Sequence, residues 1–158
     1  MAIYMKFGDI EGELDVEGFK KWIQVDSMQW GVGRGISPPT RGANQRESSE
    51  PSVSEIVVTK RMDSTSGLLL KESLMGKGVK VELQIVQTGG NTVTPFQKYE
   101  LTATMVSGYS ISTGGDVPSE SLSLNFAKIE SKYLKVAADQ SPQAGAIVMY
   151  DLTTLMTS

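Results

Sequence analysis

Between Tyr99 and Lys135 the chain carries two long alternating stretches separated by a glycine-rich turn. Tyr99, Leu101, Ala103 and Met105 alternate with Glu100, Thr102 and Thr104, and Tyr109 and Ile111 keep that phase. A two-residue period belongs to a half-buried β-strand, because successive side chains point to opposite faces. Ser112-Thr113-Gly114-Gly115-Asp116-Val117-Pro118 then reverses the chain. Adjacent glycines accept positive φ, and proline has no N–H to give to a ladder. In the returning strand Leu122, Leu124 and Phe126 share one face, but from Ala127 the apolar residues take the other parity, at Ala127, Ile129 and Tyr133. A strand that changes phase midway contains a bulge, or leaves one sheet to cover another. The stretch predicts a long, bent hairpin, large enough to be the wall of a closed or nearly closed β-structure.

The rest of the chain supplies further strands. Ala2 to Phe7 places Ile3, Met5 and Phe7 on one side. Trp22 to Val32 carries Ile23 and Val25 in one phase and Met28, Trp30 and Val32 in the other. Val53 to Met62 has Ile56, Val58 and Met62 in phase, and Val79, Val81, Leu83 and Ile85 alternate with Lys80, Glu82 and Gln84. Thr88-Gly89-Gly90-Asn91 turns that strand into the organising hairpin, and Ile147 to Leu152 closes the set after a polar loop from Ala137 to Gly145. One helix is expected. Asp63-Ser64-Thr65-Ser66 offers cap-type residues before a buried stripe of Leu68, Leu70 and Leu74, and Gly76 and Gly78 end it. The expected fold is mainly β: a β-barrel of two packed, largely antiparallel sheets, with one short α-helix on the side. At 158 residues a second core would leave each half marginal, so a single domain over residues 1–158 is expected.

Composition narrows the chemistry. With no cysteine the chain has no disulfide framework, thiolate nucleophile or cysteine-ligated metal, and with no histidine it has no Ser-His-Asp triad or imidazole base. Carboxylates remain, and these still permit glycoside hydrolysis. The net charge of −3 gives no positive field for phosphates, so nucleic acid is not the expected partner. No apolar run approaches the roughly 18 residues that span a bilayer, so no membrane insertion is expected, and Met1 to Lys6 does not read as a secretory signal.

Three segments invite a site. Asp9, Glu11, Glu13, Asp15 and Glu17 place an acid at every second position, yet they miss the glycine and glutamate positions of an EF-hand loop. They read as the solvated face of a strand, and no metal or cofactor is expected. Gly31-Val32-Gly33-Arg34-Gly35 resembles a phosphate loop, but Ser37-Pro38-Pro39 leaves no helix to follow it. Ser37 to Ser52 is a long polar excursion, with charges at Arg41, Arg46, Glu47 and Glu50. It is either disordered or functional, projecting to become ordered against another copy of the chain.

Taken together, several motifs resemble the hemolysin-coregulated protein (Hcp) family. They are Lys6-Phe7-Gly8-Asp9-Ile10-Glu11-Gly12-Glu13, the tryptophan strand Ile23 to Gly31, Thr59-Lys60-Arg61-Met62-Asp63, Tyr109 to Gly115, and Leu122 to Ile129. The segment 37–52 and Trp22 depart from the pattern. The resemblance implies a phage tail-tube-like fold and the inner-tube role in bacterial type VI secretion, with no enzymatic activity. It further implies hexameric rings that stack into a tube, are exported on sheath contraction and carry effectors in the lumen. Partners implied are further copies of the chain, the spike protein, the sheath, the baseplate and effector proteins. The protein is then made in the bacterial cytoplasm without a signal peptide and secreted through the type VI system. On this reading Arg41, Arg46, Glu47, Glu50, Tyr109, Thr113, Gly114 and Gly115 are candidate subunit contacts. Lys80, Glu82, Gln84, Lys98, Glu100, Thr102 and Thr104 form a polar face, lumen or outer surface. Nothing resembling a toxin follows Ser158, so a plain tube subunit is expected.

Two other readings compete. A carbohydrate- or surface-binding β-sandwich would present Trp22 and Trp30 as a sugar platform, whereas buried tryptophans would be core. A glycoside hydrolase would need two carboxylates in a deep cleft, one of them with a raised pKa.

Overall fold

A computed structural model of the chain describes residues 1–38, 48–136 and 142–158. Its elements are β1 (Ala2–Phe7), β2 (Ile23–Val25), β3 (Ser27–Gln29), β4 (Val32–Gly33), β5 (Ser52–Val53) and β6 (Ile56–Arg61). There follow α1 (Ser66–Met75), β7 (Val79–Gly89), β8 (Thr92–Ser112), β9 (Ser119–Asn125), β10 (Lys128–Val136), β11 (Pro142–Asp151) and β12 (Met156–Thr157). Among the described residues every strand pairing within a sheet is antiparallel.

Three changes of phase build two layers out of these strands. The first sheet runs β12-β11-β10-β8-β7-β1-β2, and β8 continues into a second, ordered β8-β9-β6-β3. The change expected near Ala127 is a crossing: β9 pairs in the second sheet and β10 in the first. The change in the tryptophan strand is another, since β2 pairs with β1 while β3, one residue beyond Asp26, pairs with β6. The third differs from the sequence reading. Ala103 has φ +52 and is exposed, so parity flips there: Thr104 and Val106 are buried while Met105 turns outward. Ala103 and Met105 are therefore not in the core face begun by Leu101. The wall is not a closed ladder, because β2 and β3 join through the chain at Asp26, whose N–H donates to the Thr59 carbonyl.

The main core lies between the layers. Ile3, Met5, Phe7, Leu83, Leu101 and Ile129 meet Ile56, Val58, Val106, Leu122 and Leu124 across it. A smaller cluster of Tyr4, Phe19 and Val86 lies on the other face of the first sheet. Here the structure corrects the acidic segment: residues 9–17 form an irregular covering loop, not a strand, with Leu14 and Val16 packed on that cluster. Val86 reaches it by plain alternation, since it shares the face of Glu82 and Gln84 and pairs with Ala2 beside Tyr4.

The helix begins as its cap-type residues predict. Asp63 Oδ1 accepts from the Thr65 N–H at 2.8 Å and its hydroxyl at 2.5 Å, and the Asp63 N–H donates to Ser66 Oγ. Its apolar face is not the one expected. Leu69 is the leucine of α1 that enters the core, while Leu68, Leu70 and Leu74 are exposed. A ten-residue helix packed beside β8 buries only Ser66 and Leu69 of its own length. Met62 is likewise exposed, and Lys60 takes the next buried position after Ile56 and Val58.

Candidate functional site

The outer face of the first sheet gathers most of the polar face expected from sequence. Strand register aligns Lys6, Glu82, Glu100 and Glu130 in one row across β1, β7, β8 and β10. Two residues along, Gln84, Lys98 and Lys132 align in a second row. Like charges directly opposite one another disfavour strand pairing, so a row of three carboxylates needs compensation. Lys80 gives part of it, with Nζ 3.2 Å from Glu82 Oε1 and 3.3 Å from Glu100 Oε1. Its hydrogen bond to Glu82, and then that to Glu100, raise its pKa above the ordinary lysine value. Between the rows lies an open hollow of about 210 Å³, lined by Glu82, Gln84, Lys98, Tyr99, Glu100, Glu130 and Lys132.

Two members of the expected face behave differently. Thr102 is exposed, but Thr104 is fully buried, with no hydrogen-bond partner for its hydroxyl, because the flip at Ala103 turns it inward. Gln84 is in the face by register yet almost buried.

The candidate subunit contacts separate in the same way. Glu50 is exposed, as are Thr113, Gly114 and Gly115 at the β8–β9 turn. Arg41, Arg46 and Glu47 lie outside the described residues. Tyr109 belongs to an internal polar cluster instead. Its hydroxyl donates to Glu120 Oε1, and Glu120 Oε2 is 2.8 Å from Lys60 Nζ. Lys60 also donates to Asp63 Oδ1 at 3.0 Å and to the Arg61 carbonyl at 2.9 Å. Lys60 and Glu120 are both essentially without solvent access.

Sequence reasoning missed this cluster, although a signal was present. Lys60 falls in phase with Ile56 and Val58, and Glu120 with Leu122 and Leu124, on strands that pair directly at these two residues. Opposite charges in apolar phases of two predicted strands mark a buried pair.

The cluster makes stability depend on alkaline pH. Desolvation first, then the hydrogen bond to Glu120, pushes the Tyr109 pKa up to about 12 from 10. The folded state thus holds this proton more tightly than the unfolded chain, so the contribution is complete below about pH 10 and is lost as pH rises through about 12. Melting curves collected from pH 9 to 12 are expected to fall more steeply for the natural chain than for Tyr109→Phe, and equal slopes would remove the tyrosine from this role.

Neither tryptophan forms an open platform. Trp30 is half-buried and meets Tyr99 edge-on, with ring centroids 5.7 Å apart, and Trp22 meets Phe19 in the same way at 5.1 Å. Among the described residues no group of three or more acidic side chains is placed to hold a metal ion, and no helix is long and apolar enough to cross a membrane.

Solved structures share this fold. A solved type six secretion system protein superposes with a TM-score of 0.88 at 24% identity, covering 99% of each chain. The crystal structure of Hcp1 from Salmonella typhimurium gives 0.77 at 22% identity, covering 99% of this chain and 98% of that one. Those likenesses establish the fold. In sequence, the protein hcp1 of Pseudomonas aeruginosa is 27% identical over 150 residues, 92% of this chain and 90% of that protein. The family model described as "Type VI secretion system effector, Hcp" matches residues 4–133. With the match running from β1 into β10, this chain belongs to the Hcp family of type VI secretion proteins, whose role is that of a tube protein.

Proposed function

We propose that the chain is the repeating subunit of a type VI inner tube: six copies close into a ring, rings stack, and the charged outer face of the first sheet lines the lumen. The observation that carries this reading, beyond family membership, is that face itself. It spans four strands, is crossed by an acidic row beside a basic row, and its hollows open to solvent. A surface of mixed charge with no deep pocket stays wet and grips nothing tightly, which suits a conduit for folded effector proteins. The subunit supplies no covalent chemistry. Sheath contraction supplies the work, and the tube leaves the cell with the spike at its tip. Glu50 and the Thr113–Gly115 turn are proposed contacts to further copies.

The reading is tested by mass in solution. Light scattering after gel filtration is expected to give a species near six times the 17.1 kDa chain, with a central hole in negative-stain images. Contacts between rings must release after export, so they are weak, and high salt is expected to disperse stacks while leaving rings intact. A chain that stays monomeric at every concentration would overturn the ring.

A further inference from the structure

The chain has eight methionines and no cysteine, so all of its sulfur is thioether. Methionine is ordinarily a core residue. Here five of the eight lie open: Met1, Met62, Met75, Met105 and Met156 are 83%, 38%, 66%, 46% and 68% exposed. They come from different parts of the chain, namely its start, the residue after β6, the end of α1, the middle of β8, and β12. None belongs to either apolar cluster, whereas Met5 is fully buried in the main one and Met28 packs against it. Met105 is the most telling of the five. Alternation from Leu101 assigns it to the core, and the reversal at Ala103 turns it outward.

We propose that these five side chains form an oxidant-consuming surface, which reduces two-electron oxygen donors such as hydrogen peroxide before they reach the core. The step balances at each sulfur. A lone pair of the thioether attacks one peroxide oxygen, the O–O bond breaks, an S=O bond forms, and the other oxygen leaves as water with both protons. Sulfur is oxidised by two electrons and the peroxide is reduced by the same two. Methionine sulfoxide is polar, so the reaction is harmful where a thioether packs in a core and tolerable where it already faces water. The exposed five meet that condition and Met5 does not. The rest of the chain fits the role: it has no thiolate to compete for oxidant, and both tryptophan rings are partly covered, Trp22 by Phe19 and Trp30 by Tyr99. Sulfoxides at open positions are also within reach of methionine sulfoxide reductases, so the surface can be regenerated.

The natural chain is treated with one equivalent of hydrogen peroxide for each exposed methionine, and the added oxygen is located by peptide mass mapping. Oxygen is expected at the five open positions and not at Met5, with the melting midpoint moved by less than about 4 °C. A variant carrying Met62→Leu, Met75→Leu, Met105→Leu and Met156→Leu keeps volume and apolar character at each site, and circular dichroism checks its fold before the same dose is given. Peroxide is expected to persist longer in its presence, oxygen is expected at Met28, Met149 and Met5, and the midpoint is expected to fall further than in the natural chain. If Met5 stays unoxidised and the midpoint unmoved in the variant, the open sulfurs protect nothing and the proposal fails. Oxygen at Met5 of the natural chain in step with the other five would overturn it as well, and so would a Met105 that does not react.

Discussion

Lys60→Met is expected to lower the unfolding free energy by about 3–5 kcal/mol, because it leaves Glu120 charged, buried and without its cation. Lys60 Nζ is held by Glu120, Asp63 and the Arg61 carbonyl, so all three of its donors are satisfied within the protein. The loss is not confined to one strand. Glu120 lies on β9 opposite Lys60 on β6, Tyr109 reaches it from β8, and Asp63 holds the turn that leads into α1. One buried carboxylate thus ties three strands of the second sheet to the helix. The companion variant Lys60→Met with Glu120→Leu removes both charges, and is expected to regain most of the loss, since a buried pair replaced by apolar groups is often neutral in stability. Urea denaturation of the three proteins decides it. A single variant within about 0.5 kcal/mol of the natural chain, the ordinary range for surface changes, would mean that the cluster is wetter than its geometry implies.

Leu69→Ala is expected to cost about 2–5 kcal/mol, the range for leucine truncations that leave a cavity in a packed core. Leu69 is fully buried and belongs to the main cluster. Leu74→Ala, five residues on, is expected to change the stability of the dissociated chain by no more than about 0.5 kcal/mol. Comparing midpoints of the two variants under dissociating conditions separates the side chain that holds the fold from one that faces outward. Equal losses would return the helix to the buried stripe that its leucines suggested.

Those leucines show where the sequence was legible and where it was not. Strands came through because alternation is a local signal: β1 fills Ala2 to Phe7, β7 contains Val79 to Ile85, and β8, β9 and β10 overlap Tyr99 to Lys135, while the strand expected from Val53 to Met62 is split, with β6 in the second sheet and Val53 in β5 beside β4. Two changes of phase were legible too, and all three became crossings between layers. The third was hidden because Ala103 breaks no composition rule, and an alanine at φ +52 is dictated by its surroundings. The helix failed for a related reason. Hydrophobic content says that a side chain seeks cover, but not whether its own chain or another provides it. The acidic loop failed because alternation between acids and Ile10, Leu14 and Val16 also suits an irregular segment whose Ile10 packs on the main core and whose Leu14 and Val16 turn down onto Tyr4 and Phe19. Of the polar face, Glu82, Gln84, Lys98 and Glu100 could be read from spacing, but Lys6, Glu130 and Lys132 join them only through cross-strand register. Thr104 could not, since its burial follows from the flip next to it.

The length of β8 has a mechanical consequence. One unbroken run of 21 residues pairs with β7 and β10 over its first part and with β9 over its last. Neither layer can peel away without disturbing the strand that it shares with the other, so opening is all-or-none instead of layer by layer. Amide protection along β8 then reports a single free energy on both sides of Ala103. Force applied to one layer, as when a neighbour pushes from behind, passes along that strand into the second layer, and the domain resists as one body.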